Sequence, residues 1–294
     1  MLHIAGIDEN HITGQLARFL RSGNPIALLR ALRMIARERR TFEVLHSARC
    51  LLLMRPSAIA RGDEQTVSRI LNALAASPPD GIVLTRMQLL ERYGDSFAVH
   101  ALPGDFDSVR GSSVTRCGGF LVLGEYGDPG ARIAVAGPGT CTVDHSYARL
   151  AGVRHIHSLY PGTEDGTVLV STGDSRRVLD LCEVRDSGLR LIRRLRSRFA
   201  GYTALARVGN ELYAGTDFSS RPNYIAMLDG SVHPFPAAAY WREVDAFQVH
   251  EDRYLCSINY HMLDACGDRT VSIFDTQNRA FIHCGPWPSV HNTA

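Results

Sequence analysis

The sequence predicts an all-β propeller of five or six blades, preceded by a mainly helical N-terminal region. Helical periodicity gives way near Ser77–Gly81 to short alternating apolar runs broken by Gly, Asp, Asn and Pro. A unit of strand, small or acidic end, loop and strand then recurs at offsets of 49, 43 and 42 residues. This period, with four short strands per unit, is typical of propeller blades. A β-sandwich has no reason to repeat, and solenoids usually have shorter units.

The N-terminal region begins with a basic helical stretch over residues 11–40, which breaks at Gly23-Asn24-Pro25. After the break, leucine and isoleucine fall on one face and arginines occupy the rest. Residues 11–40 hold seven arginines and one glutamate. Two interpretations stay open: a helix resting on anionic lipid, or a helix packed on its own domain with solvated arginines.

The remainder of this region contains an apolar run and a second helix. Cys50–Met54 is either a buried strand or a helical segment, whereas Asp63–Ala76 has the apolar spacing of a helix. Ser77–Gly81 is the clearest boundary in the chain. We therefore expect residues 1–78 to form the helical, Arg-rich region, which could contribute a strand to a propeller at residues 79–294.

The repeat becomes visible when the second strands of successive units are aligned. We align their ends at Glu125, Asp174, Asp217 and Asn259. The chain after Gly81 has room for four to five blades, and a sixth would need strands from residues 41–57. In the unit at residues 153–174, strand alternation predicts that His155 and His157 share one face.

Composition excludes several classes of function. The net charge is +2, which gives no reason to expect nucleic acid as a partner. All 32 basic residues are arginine, so Schiff-base, P-loop and kinase-type lysines are excluded. The seven cysteines are widely spaced, which predicts free thiols. With no secretory signal and no long apolar run, we expect a cytoplasmic protein without a transmembrane segment.

Part of the repeat region resembles a known group of proteins. The matching pieces are Gly124–Gly127, Arg154–Ser158, Thr172–Asp174, Gly215–Asp217 and Pro222–Ile225. They are similar to uncharacterised bacterial and archaeal proteins related to the sialidase-like, BNR-repeat propellers. The resemblance covers about Gly124–Asp229 and implies a propeller of sialidase-like build without assigning a reaction.

The signatures of sialidases themselves are not preserved. Arg132-Ile133-Ala134 stands where the signature requires Arg-Ile-Pro, and it comes late in the chain. The Asp-box survives as a remnant at Asp186–Leu189 without its Thr-Trp pair. The arginine triad that grips a sialic acid carboxylate cannot be assigned, so a sialidase is not predicted.

Candidate site residues cluster on the predicted inner strands. Glu125, Asp174 and Asp217 are candidate catalytic carboxylates, and turn capping is the structural alternative. His155 and His157 could bind a divalent metal if another blade added a ligand. The candidate ligand-binding residues are Arg154, His155, His157, Tyr126, Tyr202 and Arg221: arginine for a sugar carboxylate, tyrosine for stacking.

Two classes of function follow from these features. The first is binding or processing of an acidic saccharide at the mouth of the propeller channel, with glycoside hydrolysis or metal-dependent lysis as the candidate reactions. The second is a non-catalytic interaction scaffold that docks to a membrane surface or a protein partner through the basic N-terminal helices. The fold alone does not choose between them.

Overall fold

The computed structural model describes most of the repeat region and part of what precedes it. The described residues are 29–30, 54–76, 83–85, 88–93, 96–101, 109–126, 131–137, 140–150, 152–173, 177–195, 202–217, 222–260 and 269–288. Within them the chain is mostly β-strand, with one long helix, α1 (Glu64–Ala76).

Four antiparallel sheets of four strands each make up the larger part of the structure, and in each sheet consecutive strands are paired. Blade 1 is β4 (Val109–Cys117), β5 (Phe120–Glu125), β6 (Ile133–Gly137) and β7 (Thr140–Asp144). Blade 2 is β8 (His155–Pro161), β9 (Thr167–Gly173), β10 (Leu179–Arg185) and β11 (Gly188–Leu195). Blade 3 is β12 (Tyr202–Val208), β13 (Glu211–Thr216), β14 (Tyr224–Met227) and β15 (Val232–Pro234). Blade 4 is β16 (Glu243–His250), β17 (Tyr254–Tyr260), β18 (Thr270–Asp275) and β19 (Ala280–Pro286).

These sheets are arranged as a propeller, which confirms the predicted all-β class. The first strand of each blade lies against the first strand of the next, in the order β4, β8, β12 and β16. Hydroxyl groups link these inner strands: Ser112 donates to the carbonyl of His157 at 2.9 Å, and Ser158 donates to that of Tyr202 at 2.9 Å. Thr203 donates in the same way to Val244.

The blade count differs from the prediction of five or six. The described residues contain four four-stranded blades and one further three-stranded sheet, β1 (Val83–Thr85), β2 (Gln88–Tyr93) and β3 (Ser96–Ala101). Strand β1 lies against β4. The prediction counted strands by available chain length, whereas the described residues between 83 and 101 form three strands.

Glycines let the blades approach closely. A Cβ atom on Gly124 would lie 2.4 Å from the side chain of Ile156, and one on Gly215 would lie 2.6 Å from that of Val244. In both cases a second-strand glycine meets an inner-strand residue of the next blade. Ile156 and Val244 are fully buried there, which fixes the spacing between neighbouring inner strands.

Helix α1 packs on blade 4. Asp63 caps it by accepting hydrogen bonds from the Thr66 amide at 3.0 Å and the Thr66 hydroxyl at 2.7 Å. Ile70 and Leu74 are buried against an apolar cluster of blade 4 formed by Tyr254, Cys256, Val271 and Ile273. The helix therefore begins one residue after the start predicted at Asp63 and ends where it was predicted to end.

The segment before α1 also contacts the blades. Ile59 forms a single parallel bridge with Phe281, and the amide of Ala60 donates to the Phe281 carbonyl at 2.7 Å. The predicted boundary at residues 77–81, the apolar run up to Leu53 and most of residues 11–40 lie outside the described residues. The division at residue 78 therefore stays a prediction.

Two further sequence predictions can be compared with the structure. No helix in the described part of the chain is long and apolar enough to cross a membrane. The five described cysteines are free thiols: Cys117, Cys141, Cys182, Cys256 and Cys284.

Candidate functional site

An irregularity near the start of every inner strand shapes the candidate site. The pairing between first and second strands shifts once in each of the four blades, as expected for β-bulges. The residues skipped by the pairing include Arg110 in blade 1, His157 in blade 2, Thr203 in blade 3 and Asp245 in blade 4. Bulges redirect side chains and are frequent beside functional sites.

The same pairing corrects the alignment of the repeat. The first residue of each inner strand pairs with Glu125, Gly173, Thr216 or Tyr260. Glu125 therefore corresponds to Gly173 rather than to Asp174. The predicted unit end at Asn259 likewise falls one residue before the true equivalent, Tyr260. Small shifts of this kind escaped the sequence alignment because the loops between strands differ in length.

The two histidines lie together with an aromatic residue of blade 1. The ring of Tyr126 stacks on that of His155 with the centroids 4.3 Å apart, and the His155 and His157 centroids are 6.2 Å apart. The Nδ1 atom of His157 lies 3.0 Å from Oδ2 of Asp217 in blade 3. Residues predicted separately from blades 1, 2 and 3 thus converge at one place.

His157 is more deeply buried than the sequence suggested. Both histidines were predicted as candidate ligand-binding residues, but His157 is 0% exposed and His155 is 9% exposed. The His157 ring lies over Gly173, where an added Cβ atom would come within 1.8 Å of it. Its contact with Asp217 falls short of hydrogen-bond geometry, and neither ring nitrogen has a hydrogen-bond partner among the described residues.

Arg110 extends this group toward blade 4. Its guanidinium lies 4.8 Å from the centroid of the Tyr126 ring, and its Nη2 donates a 2.8 Å hydrogen bond to the hydroxyl of Tyr260. Burial acts to lower the pKa of Arg110. The neighbouring Tyr260, Tyr126, Asp245 and Asp217 outweigh it and raise that pKa above its ordinary value. Arg110 is therefore held as a cation.

Tyr260 connects Arg110 to a buried carboxylate. Burial raises the pKa of Tyr260 to about 12; Arg110 opposes this effect, while Glu243, Asp245 and a hydrogen bond with Glu243 add to it. At neutral pH the phenol is consequently protonated. We call Arg110, Tyr126, His155, His157, Asp217 and Tyr260 the inner-strand cluster.

The remaining predicted site residues occupy different surroundings. Glu125 is buried and accepts hydrogen bonds from both Nε and Nη2 of Arg132. Tyr202 is buried in an apolar cluster between blades 2 and 3, whereas Arg154 is exposed. Asp174 and Arg221 lie outside the described residues. The structure therefore brings together Tyr126, His155, His157 and Asp217 of the predicted set.

Metal binding stays a prediction. Within the described ranges, no group of three or more His, Cys, Asp or Glu side chains is arranged to hold a metal ion. His155 and His157 lie with one carboxylate, Asp217, close to His157. Asp174, one of the predicted carboxylates, is not among the residues described.

Sequence reasoning missed Arg110, Tyr260, Glu243 and Asp245. Extending the second strand of the last unit by one residue, from Asn259 to Tyr260, would have placed Tyr260 and Glu125 at equivalent positions. Arg110 carries no comparable signal, because its position depends on a bulge in β4 that spans Val109–Val114.

Comparison with known proteins gives little further guidance. No family model matches the chain, and no curated protein matches it in sequence. One solved structure with a similar chain is the S. cerevisiae complex of a Dbp5 variant bound to Nup159, a Gle1 variant, IP6 and ADP. The identity is 8%, the TM-score is 0.34, and the match covers 70% of this chain and 59% of that one. The sequence thus spans less than two thirds of that chain, and a likeness this weak supports no functional argument.

Proposed function

We propose that the inner-strand cluster binds an acidic saccharide, with Arg110 as the group that recognises its carboxylate. The proposal rests on one observation. Arg110 is a half-buried cation with no carboxylate within ion-pair distance in the described part of the chain; its hydrogen-bond partner there is the neutral hydroxyl of Tyr260. The carboxylates of Asp217 and Asp245 act on Arg110 from beyond ion-pair distance, so its remaining donors are available to the carboxylate of a ligand.

Three other partly buried arginines are paired with carboxylates. Arg194 donates two hydrogen bonds of 2.9 Å to Asp180, and Arg253 donates to both carboxylate oxygens of Asp275. Arg132 binds Glu125 in the same manner. This bidentate pairing is the geometry that Arg110 could adopt with a sugar carboxylate.

Residues near Arg110 can contact the parts of a saccharide other than its carboxylate. The Tyr126 ring is already in contact with His155 and Arg110, whereas the carboxylate oxygens of Asp217 and Asp245 can accept hydrogen bonds from sugar hydroxyls. These acidic groups also keep Arg110 charged. A few convergent polar groups beside aromatic surface are typical of small-molecule sites.

Binding is better supported than catalysis. Hydrolysis by the common mechanism needs two carboxyl groups facing each other across the glycosidic bond. Of the predicted catalytic residues, Glu125 is engaged by Arg132, and Asp217 is the one that lies in the cluster. Glycoside hydrolysis would need Asp174 to complete such a pair, whereas metal-dependent lysis would need the metal site predicted at His155 and His157.

For the fold, we propose a five-bladed, sialidase-like propeller in which β1–β3 supply the remaining blade. The contact between β1 and β4 supports this arrangement, since the inner strands of neighbouring blades meet in the same way elsewhere. The interaction scaffold remains a second proposal. It is favoured by Leu29, which is helical, 55% exposed and adjacent to Arg30.

Titration calorimetry with a uronic acid oligosaccharide and its carboxyl-reduced, neutral counterpart tests the proposed function. We expect the wild-type protein to prefer the acidic form and Arg110→Gln to lose that preference, with a drop in affinity of about 30-fold or more. Arg69→Gln, which removes an exposed arginine paired with Glu251, serves as the matched control. Equal binding of the two saccharides by the wild-type protein would contradict the proposal.

A further inference from the structure

Strand β11 is the outermost strand of blade 2 and presents an unusual surface. It pairs with β10, and in the described part of the chain no strand pairs with its other edge. Four consecutive residues, Arg190–Arg193, are exposed. Leu191 is 50% exposed and Ile192 is 45% exposed. Single exposed aliphatic residues are common on protein surfaces, but two in succession between arginines are a distinct feature.

A bulge shapes this part of the strand. Leu191 is opposite Cys182 and Arg193 is opposite Leu181, so Ile192 is the extra residue. The bulge interrupts the regular alternation of side chains between the two faces, which is why two successive aliphatic side chains are exposed together.

The surface around Leu191 and Ile192 is basic. Within β11, residues 190–195 include three arginines and no acidic residue. Arg190 is paired with Glu183 and Arg194 with Asp180, whereas Arg193 has no ion-pair partner among the described residues. Positive charge therefore remains next to the exposed aliphatic side chains.

We propose that the surface formed by Arg190–Arg193, the β11 surface, docks onto an anionic lipid bilayer. Leu191 and Ile192 enter the boundary between headgroups and acyl chains, and the flanking arginines contact lipid phosphates. This combination of modest apolar area and positive charge is the chemistry of reversible binding to a membrane surface. The proposal is independent of the saccharide site, because it involves no residue of the inner-strand cluster.

Charge and geometry disfavour two other binding partners for the β11 surface. An acidic peptide adding to the edge of β11 as a further strand would meet the bulge, which disrupts regular strand pairing. The N-terminal segment of the same chain, residues 11–40, carries seven arginines and one glutamate. Its positive charge would repel the arginines of β11.

Co-sedimentation of the full chain with vesicles tests the proposal. We expect binding to phosphatidylcholine vesicles containing about 30% phosphatidylserine, and loss of binding in about 0.5 M salt. Arg190→Gln together with Arg193→Gln should weaken partitioning on the order of 20-fold. Leu191→Ser together with Ile192→Ser should weaken it at least as much.

Leu228→Ser provides the matched control, because Leu228 is 58% exposed but is followed by Asp229 instead of arginine. It should bind vesicles as the wild-type protein does, and circular dichroism should show all variants folded. Wild-type binding by the Leu191/Ile192 variant would overturn the proposal and point to the N-terminal segment. Capture of a polyglutamate peptide with no affinity for vesicles would also overturn it, in favour of an acidic protein partner.

Discussion

Arginines in two parts of this propeller have opposite surroundings. In blade 2, Arg194 donates two hydrogen bonds to Asp180, which is 1% exposed and also accepts one from Tyr147. In the inner-strand cluster, Arg110 donates to the neutral Tyr260 and lies over the Tyr126 ring. The first cation completes a structural ion pair, and the second is held in place by neutral groups.

This difference separates arginines that stabilise the fold from an arginine whose donors stay available to a ligand. A bidentate arginine–carboxylate pair uses the donors and acceptors of both partners, so it contributes to folding and leaves little for a ligand. A cation supported by a phenol and a ring keeps its charge and several donors. Replacing the two arginines in the same way should therefore produce different effects.

The largest effect should come from Arg194→Gln. It leaves Asp180 buried without its cation, and breaking such a pair strongly destabilises a protein. The Arg194 side chain is 31% exposed, so we expect a loss of about 2–3 kcal/mol in the free energy of unfolding, below the range for fully buried pairs. Urea denaturation followed by circular dichroism measures this change.

Arg110→Gln is the matched comparison for that experiment. Among the described residues, no carboxylate lies within ion-pair distance of Arg110, so this variant leaves no carboxylate without its cation. The free energy of unfolding should therefore fall by less than about 1 kcal/mol. A loss as large as that of Arg194→Gln would mean that Arg110 is a structural cation, which would contradict the proposed saccharide site.

Gly173→Ala should have the next largest effect, within the inner-strand cluster itself. The new Cβ atom would come within 1.8 Å of the His157 ring and force that ring away from Asp217. Overpacking of this kind costs about 1–3 kcal/mol. Gly119→Ala, at an open position without positive φ, is the control for an added methyl group that meets no neighbour. Equal thermal stability of Gly173→Ala and wild type would show that His157 moves freely.

Local pattern was enough to predict most of the elements. Alternating runs predicted strands in the unit at residues 153–174, and the observed β8 and β9 lie within it. Helix α1 was predicted to within one residue from its capping Asp63 and apolar spacing. These strands and this helix are determined by residues that are close together in the sequence, so a local pattern is enough to predict them.

The candidate site depends on contacts between distant parts of the chain, which a sequence pattern does not reveal. His155 and His157 were predicted to lie together because they belong to the same strand. Arg110 and Tyr260 are 150 residues apart and meet through the closure of the ring and a bulge in β4. Pairing between distant segments and local irregularities in strand pairing leave no periodic signature, so no pattern in the sequence pointed to this contact.

Low pH should weaken the arginine–carboxylate pairs, because it protonates the carboxylates. Hydrogen bonds from Arg253 lower the pKa of Asp275 below its ordinary 3.8, against the opposing effect of burial, with the Asn278 amide also lowering it. Asp275 therefore stabilises the fold above about pH 4, and this contribution is lost as the pH falls through the lowered pKa. Asp275→Asn should destabilise the protein clearly at about pH 6 and less at about pH 3. Urea denaturation that gives the same difference at both pH values would argue against the Arg253–Asp275 pair.

The smallest effect should be the coupling between Arg110 and Tyr126. A guanidinium 4.8 Å from a tyrosine ring centroid is within cation–π range, and such a contact is worth about 0.5–1 kcal/mol when partly exposed. Tyr126→Leu also removes the stacking on His155, so the single variant cannot isolate the contact with Arg110. A double-mutant cycle of Arg110→Gln and Tyr126→Leu, measured by urea denaturation, isolates it because the loss of stacking cancels. A coupling of about 0.5–1 kcal/mol would show that the tyrosine ring holds the cation in place without neutralising it. A coupling near zero would leave Tyr260 as the support for Arg110, and the ligand-binding arginine would then depend on blade 4 alone.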